Sequence, residues 1–211
     1  MTDLDAIEIR PAGPENEVSA ARLLYSTARP LFEFIYGPDR AFMFHMLAWQ
    51  WQADDSLFSH SHALGAYGPD NNLIGLELGF DNKSDEAAFA GSLAVSRARA
   101  TAEQRAHISE AVRQLTYFTP HTPDGSYCVH NLAVDPDAGV NGLGRRLLQG
   151  AFTREAAAGC QAVCLDVLDN NPAVGFYLHL GMELACEVRL PRLIKEHGLP
   201  AIYRMVKDVT P

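Results

Sequence analysis

Apolar and polar positions change period several times along this chain, and each change predicts an element. Residues 6–11 (A-I-E-I-R-P) alternate and then meet proline, which reads as a short first strand. A helix opens at Pro14-Glu15 with Val18, Ala21, Leu24 and Tyr25 on one face, and Arg29-Pro30 breaks it. L-F-E-F-I-Y-G reads as a short helix ended by Gly37-Pro38. Asp39 caps a further helix that carries Phe42, Met43, Met46, Leu47 and Trp49. Residues 61–67 and 73–80 read as the two strands of an antiparallel hairpin around a turn at 68–72. Residues 84–102 are polar and alanine-rich and read as loop plus helix. Helical spacing returns in 103–118 through Ile108, Val112 and Leu115, and 120–125 is a loop.

The next stretch organises the chain. Y-C-V-H-N-L-A-V-D-P (127–136) reads as a strand, and G-V-N-G-L-G-R-R-L-L (139–148) as a glycine turn feeding a helix. A-V-C-L-D-V (162–167) is a second strand, and N-N-P-A-V-G-F-Y-L-H-L-G-M (170–182) brings a second helix. A crossover of this kind makes the two strands parallel, with right-handed connection. Strands follow at 183–190 and 202–207, with 191–200 as a connection. No repeat or linker interrupts the pattern. The expectation is one α/β domain over 1–211, built on a central mixed sheet of about six to seven strands flanked by helices. That sheet is antiparallel before the 127–182 core and parallel at its centre.

The glycine turn carries the first chemical signal. Gly142 and Gly144 bracket the start of a helix, where glycine lets backbone N–H groups approach an anion closely. The helix N-terminus adds unpaired donors and partial positive charge. Arg145 and Arg146 sit in the first turn, where the dipole alone favours acids, and two cations there suit a docked polyanion. The plain alternative is a connection with surface arginines. The glycine order, G-x-x-G-x-G at 139, 142 and 144, is not the dinucleotide order G-x-G-x-x-G, although Asp166 stands where that motif wants an acid. There is no G-x-x-x-x-G-K-[ST].

These residues resemble the acyl-CoA-binding core of the GNAT superfamily, the Gcn5-related N-acetyltransferases. That family's pyrophosphate loop follows [QR]-x-x-G-x-[GA], and here 139–144 read G-V-N-G-L-G after L-A-V-D-P (132–136). Downstream, Asn170, Ala173, Phe176, Tyr177 and Gly181 fall at the spacing of the family's N-x-x-A-x-x-F-Y-x-x-x-G-F, with Met182 in place of the last aromatic. One departure is Gly139, which stands where the family has Arg or Gln and removes one side-chain contact to a pyrophosphate.

The resemblance implies an acetyl-CoA-dependent N-acetyltransferase that passes an acetyl group directly to a primary amine of a small molecule or peptide. By the same resemblance, the amides of Val140, Asn141, Gly142, Leu143, Gly144 and Arg145 would hold the pyrophosphate. The backbone of Leu132, Ala133 and Val134 would bind the acetyl group and pantetheine, and Asn170 would bond the pantetheine arm beside Ala173. Tyr177 matches the tyrosine that protonates the CoA thiolate, and His130 a position that relays the amine's proton. At pH 7 a lysine-type amine is almost wholly protonated, so such a relay is needed, and a neutral imidazole can serve. Each has a structural alternative: His130 as a hydrogen-bonded core histidine, Tyr177 as a core aromatic. In the family layout the segment after the first strand lies over the acceptor, which nominates Phe32, Phe34 and Tyr36 as an aromatic lining with Glu33 as its charge. Their default role is packing. Glu77, an acid among apolar neighbours, is either edge-facing or functional. His130, Glu33 and Glu77 are therefore all candidate bases.

Composition narrows the partners. A net charge of −9 argues against a nucleic-acid or anionic-membrane partner and is compatible with a cationic amine. No stretch approaches the 18 apolar residues of a membrane span, and 1–10 has no apolar signal region. Cysteines at 128, 160, 164 and 186 form no C-x-x-C and read as reduced, buried small hydrophobes of a cytoplasmic protein. His60-x-His62 lacks the further ligands of a metal site, so no metal is expected. A homodimer is left open. Two other readings stand beside the enzyme: a non-catalytic GNAT-like acyl-CoA sensor or partner module, and a nucleotide-dependent oxidoreductase suggested only by the strand–glycine–helix shape.

Overall fold

Seven segments pair into one sheet in a computed structural model that describes residues 3–210. The expected domain bounds of 1 and 211 take in Met1, Thr2 and Pro211, which lie outside the described residues. The strands are β1 (Glu8–Pro11), β2 (Ala63–Tyr67), β3 (Leu73–Asp81), β4 (Ser126–Val134), β5 (Ala162–Leu168), β6 (Glu183–Val188) and β7 (Ile202–Asp208), in the spatial order β1-β2-β3-β4-β5-β7-β6. β4 and β5 are parallel and every other neighbouring pair is antiparallel. The mixed sheet and its parallel centre are as the pattern predicts.

Eight helices flank the sheet among the described residues. They are α1 (Glu17–Thr27), α2 (Arg29–Tyr36), α3 (Arg40–Gln52), α4 (Asn82–Arg99), α5 (Ala102–Gln114), α6 (Leu143–Ala157), α7 (Ala173–His179) and α8 (Pro191–His197). On one face, Leu76, Leu78 and Phe80 of β3 pack with Leu23 and Leu24 of α1 and Trp51 of α3. On the other, Val129, Val163, Leu165 and Met205 pack with Leu148, Ala151 and Phe152 of α6 and Tyr177 of α7. Burying each large apolar side chain contributes ~1.5–3 kcal/mol relative to leaving it exposed, so the two layers hold the sheet between them.

Two segments differ from the pattern's prediction. Residues 82–99 form one continuous helix where loop plus helix was expected. Asp81 caps it by accepting from the Lys83 and Ser84 N–H groups. Gly91 lies inside it because a Cβ there would collide with the Asp55 carbonyl oxygen, a close approach that only glycine allows. Residues 191–197 form α8 where a connection was expected. Pro191 occupies its first turn and Gly198 closes it in the left-handed region at φ 66, the usual proline-first, glycine-last asymmetry.

All four cysteines are free. Cys128 and Cys164 are buried and lie opposite each other across the β4–β5 ladder, Cys160 is partly buried, and Cys186 is exposed on β6.

Candidate active site

The site begins with an irregularity in β4. Leu78 pairs with Asn131 and Gly79 with Val129, which leaves His130 as the extra residue of a bulge. A regular strand sends successive side chains to opposite faces. At the bulge, two successive side chains go to the same face. The His130 ring meets Phe80 edge-on at 4.9 Å, and Asn131 Nδ2 donates to Thr27 Oγ1 of α1 at 2.8 Å.

β4 and β5 part at the same level. Their ladder runs from Ser126↔Ala162 to Val129↔Leu165 and stops. Past Val129, β4 stays paired with β3 as far as Val134, whereas β5 follows β7 to Leu168↔Ile202. The β5-facing edge of residues 130–134 therefore has no strand partner. Leu132 and Val134 turn toward α6, and Ala133 is buried on the α1 face.

Beyond β4 the chain makes its glycine turn. Gly139 and Gly142 both have left-handed φ, 62 and 83. An added Cβ would meet nothing within 4 Å at Gly139 and only a Leu4 methyl, at 3.6 Å, at Gly142. Conformation, together with open space for an incoming group, therefore accounts for these glycines. Gly142 is the N-cap of α6 and supplies no side-chain acceptor to the first N–H groups, and no acid stands in the first turn. Val140 and Leu143 are buried against Ile7 and Ala66, Asn141 and Arg145 are exposed, and Gly144 lies between Val134 and Phe176. Arg146 is already engaged, since its Nη1 donates to the Leu4 and Ile7 carbonyls at 2.7 and 3.2 Å. Of the paired arginines, only Arg145 faces solvent at the turn.

α7 closes this side. Asn171 Oδ1 accepts from the Ala173 N–H and starts the helix, with Asn170 exposed before it. Ala173 and Phe176 pack beside Tyr177, which is 8% exposed. Burial alone pushes the Tyr177 phenol up to about 12, so the hydroxyl keeps its proton at neutral pH and can act as a donor.

Electrostatics on the opposite face centre on His130. Its Nε2 lies 3.5 Å from Asp85 Oδ1 of α4. Burial lowers the imidazole's pKa below the ordinary value; Asp85 and Asp166 oppose this, and Arg204 reinforces it. Asp85 lines a surface cavity of ≈ 490 Å³ together with Thr116, Tyr117, Thr119, His121 and Thr122. Arg204 of β7 braces that loop. It is bidentate to Asp166 at 2.6 and 2.7 Å and also donates to the Pro120 and His121 carbonyls.

The acceptor candidates fall in three places. Phe32 and Tyr36 are buried in the α1–α3 cluster, where Tyr36 Oη accepts from Gln50. Glu33 is exposed and accepts from Tyr25 Oη, and Phe34 meets the His197 ring of α8 at 4.8 Å. Glu77 lies on the opposite face of the sheet, against α6, bound by Tyr127 and Arg154.

Residues 101–183 match the family model of the acetyltransferase (GNAT) domain. That stretch is similar to the acetyltransferase domain of the GNAT family. No curated protein matches it by sequence. Solved structures share its fold. One is an acetyltransferase, 20% identical over 96% of this chain and 99% of that one, with TM-score 0.69. Another is an N-acetyltransferase from Staphylococcus aureus Mu50, 16% identical over 95% and 100%, at 0.67. A third is a mosquito arylalkylamine N-acetyltransferase-like 5b, 19% identical over 96% and 99%, at 0.58.

The matched stretch runs from α5 to the start of β6 and holds His130, the glycine turn and Tyr177. Phe32, Glu33, Tyr36 and Glu77 lie outside it. Sequence reasoning missed two residues beside His130. Asp85 sits in a segment read as partly loop, and only the continuous α4 carries it to the imidazole. Asn131 is adjacent in sequence, but ordinary alternation would place it on the far face. Among the described residues there is no group of three or more metal-ligating side chains, and no helix is long and apolar enough to cross a membrane.

Proposed function

We propose that the protein is an acetyl-CoA-dependent N-acetyltransferase that transfers acetyl directly to a primary amine, acting as one domain over 1–211. The observation that carries this reading is the parting of β4 from β5 after Val129, beside a glycine turn with room for an anion. An unpartnered strand edge suits an extended amide-bearing arm such as pantetheine. The amides of Val140 to Arg145 would take the pyrophosphate through the helix N-terminus, with Arg145 as the exposed cation. Leu132, Ala133 and Val134 would supply the backbone edge, and Asn170 and Ala173 would flank the arm from α7.

Chemistry divides between the two faces. Asp85 beside Nε2 favours the tautomer that carries its proton there and leaves Nδ1 basic. In this reading His130 accepts the amine's proton at Nδ1, and Nε2 passes one on to Asp85 and the water of the adjoining cavity. The C–N bond forms as the C–S bond breaks, and the departing thiolate takes a proton from Tyr177. On the acceptor side, α2 and α8 meet at Phe34 and His197, with Glu33 exposed nearby. An exposed carboxylate there suits an amine that carries a second cationic or polar group. We place the protein's work in the cytoplasm, where thiols stay reduced.

The test is free-thiol release from acetyl-CoA in the presence of phenethylamine, spermidine and lysine-terminated peptides. Thiol release that depends on an amine is the expected result. Acetyl-CoA binding without release with any amine would instead mark a non-catalytic acyl-CoA module, and no binding would remove both.

A further inference from the structure

The bulge at His130 leaves one polar atom unaccounted for. Asn131 is 5% exposed, and its Oδ1 is buried without a partner. Its orientation follows from its neighbour. Thr27 Oγ1 spends its single proton on the Leu24 carbonyl at 2.7 Å, so toward Asn131 it can only accept. The amide must turn Nδ2 to Thr27, at 2.8 Å, and Oδ1 away. Buried acceptors are as a rule paired. Of the side-chain atoms that break this rule among the described residues, Asn131 Oδ1 is the one on β4. It lies one residue from His130, on the same face, where the β4–β5 ladder ends.

We propose that Asn131 Oδ1 accepts a hydrogen bond from the attacking nitrogen beside His130, and thereby restricts the acceptor to primary amines. This rests on the transferase reading above. A neutral primary amine carries two N–H bonds and one lone pair. One N–H donates to Asn131 and stays on the product amide. The other proton passes to His130 as the lone pair forms the C–N bond, and the thiolate takes its proton from Tyr177. A secondary amine has a single N–H and an alcohol a single O–H. Either can serve His130 or Asn131, but not both, and it leaves a buried carbonyl unpaired as it reacts. Sites built to bond a particular N–H or O–H reject analogues that lack it far more strongly than apolar pockets reject a change of size.

The test compares a primary amine with its N-methyl derivative, phenethylamine and N-methylphenethylamine first, in wild type and in Asn131→Leu. The leucine has similar volume and no acceptor. Wild type should favour the primary amine by at least about tenfold in kcat/KM. Asn131→Leu should lower kcat/KM for the primary amine by about 10- to 100-fold, leave the N-methyl amine nearly unchanged, and keep the acetyl-CoA Kd, so that the preference collapses. An equal loss for both amines would make Asn131 merely structural, and an unmoved preference would mean that the carbonyl holds only water; either overturns the proposal. Should Asn131→Leu not fold, Thr27→Val releases the amide from its anchor and should weaken the same preference at least about threefold, an unmoved value again being fatal. No thiol release from wild type with any amine overturns the transferase reading and this inference together. Normal turnover with an unmoved preference overturns the role of Asn131 alone.

Discussion

Arg154 Nη2 on α6 donates to Glu77 Oε2 on β3 at 2.9 Å, while Tyr127 Oη donates to the other carboxylate oxygen at 2.8 Å. Glu77 is 1% exposed, and burial raises its pKa despite Arg154 and Tyr127. A carboxyl with a raised folded-state pKa contributes stability that is present at acid pH and lost as pH rises through that value. Arg154→Ala should therefore destabilise by about 2 kcal/mol at pH 8, a figure reduced because Arg154 is 37% exposed and water replaces part of it. The defect should shrink toward pH 5 as Glu77 takes a proton. Glu77→Gln should cost less than Arg154→Ala at pH 8. Thermal melts at the two pH values check both, and a pH-independent Arg154→Ala defect would show that packing, not charge, is at stake.

Gly144 offers the cleaner block of the CoA side. Valine at Gly142 would strain a backbone at φ 83, so a binding loss there mixes two causes. A Cβ at Gly144 meets Val134 and Phe176 only at 3.8 Å, ordinary contact in helical backbone. Gly144→Val should fold, yet put its methyls between β4 and α7. Calorimetry should show acetyl-CoA binding weakened by at least about tenfold, roughly 1.4 kcal/mol. Unchanged affinity would move the pantetheine elsewhere.

His130→Ala should lower turnover by about 10²- to 10⁴-fold near neutral pH. With its imidazole below the ordinary value, His130 stays basic at pH 7, and the acid limb of wild-type kcat should fall below about 6.5. Raising pH supplies neutral amine, so the variant's defect should narrow. Stability gives a second reading. A depressed histidine contributes stability present above about 6.5 and lost as pH falls through its folded value, so the variant should melt with a weaker acid dependence. A constant defect from pH 6 to 9 would exclude proton relay.

Tyr177→Phe retains the ring that packs against α6 and loses the proton donor. Turnover should drop by about 10²- to 10⁴-fold with little change in acetyl-CoA Kd. Near-normal single-turnover rates in the folded variant would leave Tyr177 a packing residue.

How much of this was readable beforehand follows from the range of the forces involved. Alternation, short apolar runs and turn residues are local signals, and they placed all seven strands. The helix at Asp39 was legible because its cap is local, Asp39 Oδ1 accepting from the Phe42 N–H. The continuity of α4 was not legible from its polar, alanine-rich composition, and the reason for Gly91 within it, the Asp55 backbone, lies 36 residues away. The bulge depends on β3 register, so neither the shared face of His130 and Asn131 nor the approach of Asp85 could be read from spacing. Arg146 looked available to an anion until the N-terminal carbonyls that occupy it were in view. The GNAT motif was legible because glycine conformation and spacing are written in the residues themselves, whereas the acceptor side depends on how α2 and α8 come together.

The ladder that ends at Val129 has a mechanical consequence. Among the described residues, backbone hydrogen bonds join the two halves of the sheet between 125–129 and 161–165, and past that level the connection is the apolar layer under α6 and α7 with the Arg204 bonds to the Pro120 and His121 carbonyls. Hydrogen bonds fix distance and angle, whereas apolar contact is non-directional. A small rotation about that short ladder would widen or narrow the separation of the halves without breaking a strand pair. Tolerance for acyl groups longer than acetyl would then be governed by how α6 and α7 pack, rather than by any residue that touches the acyl chain.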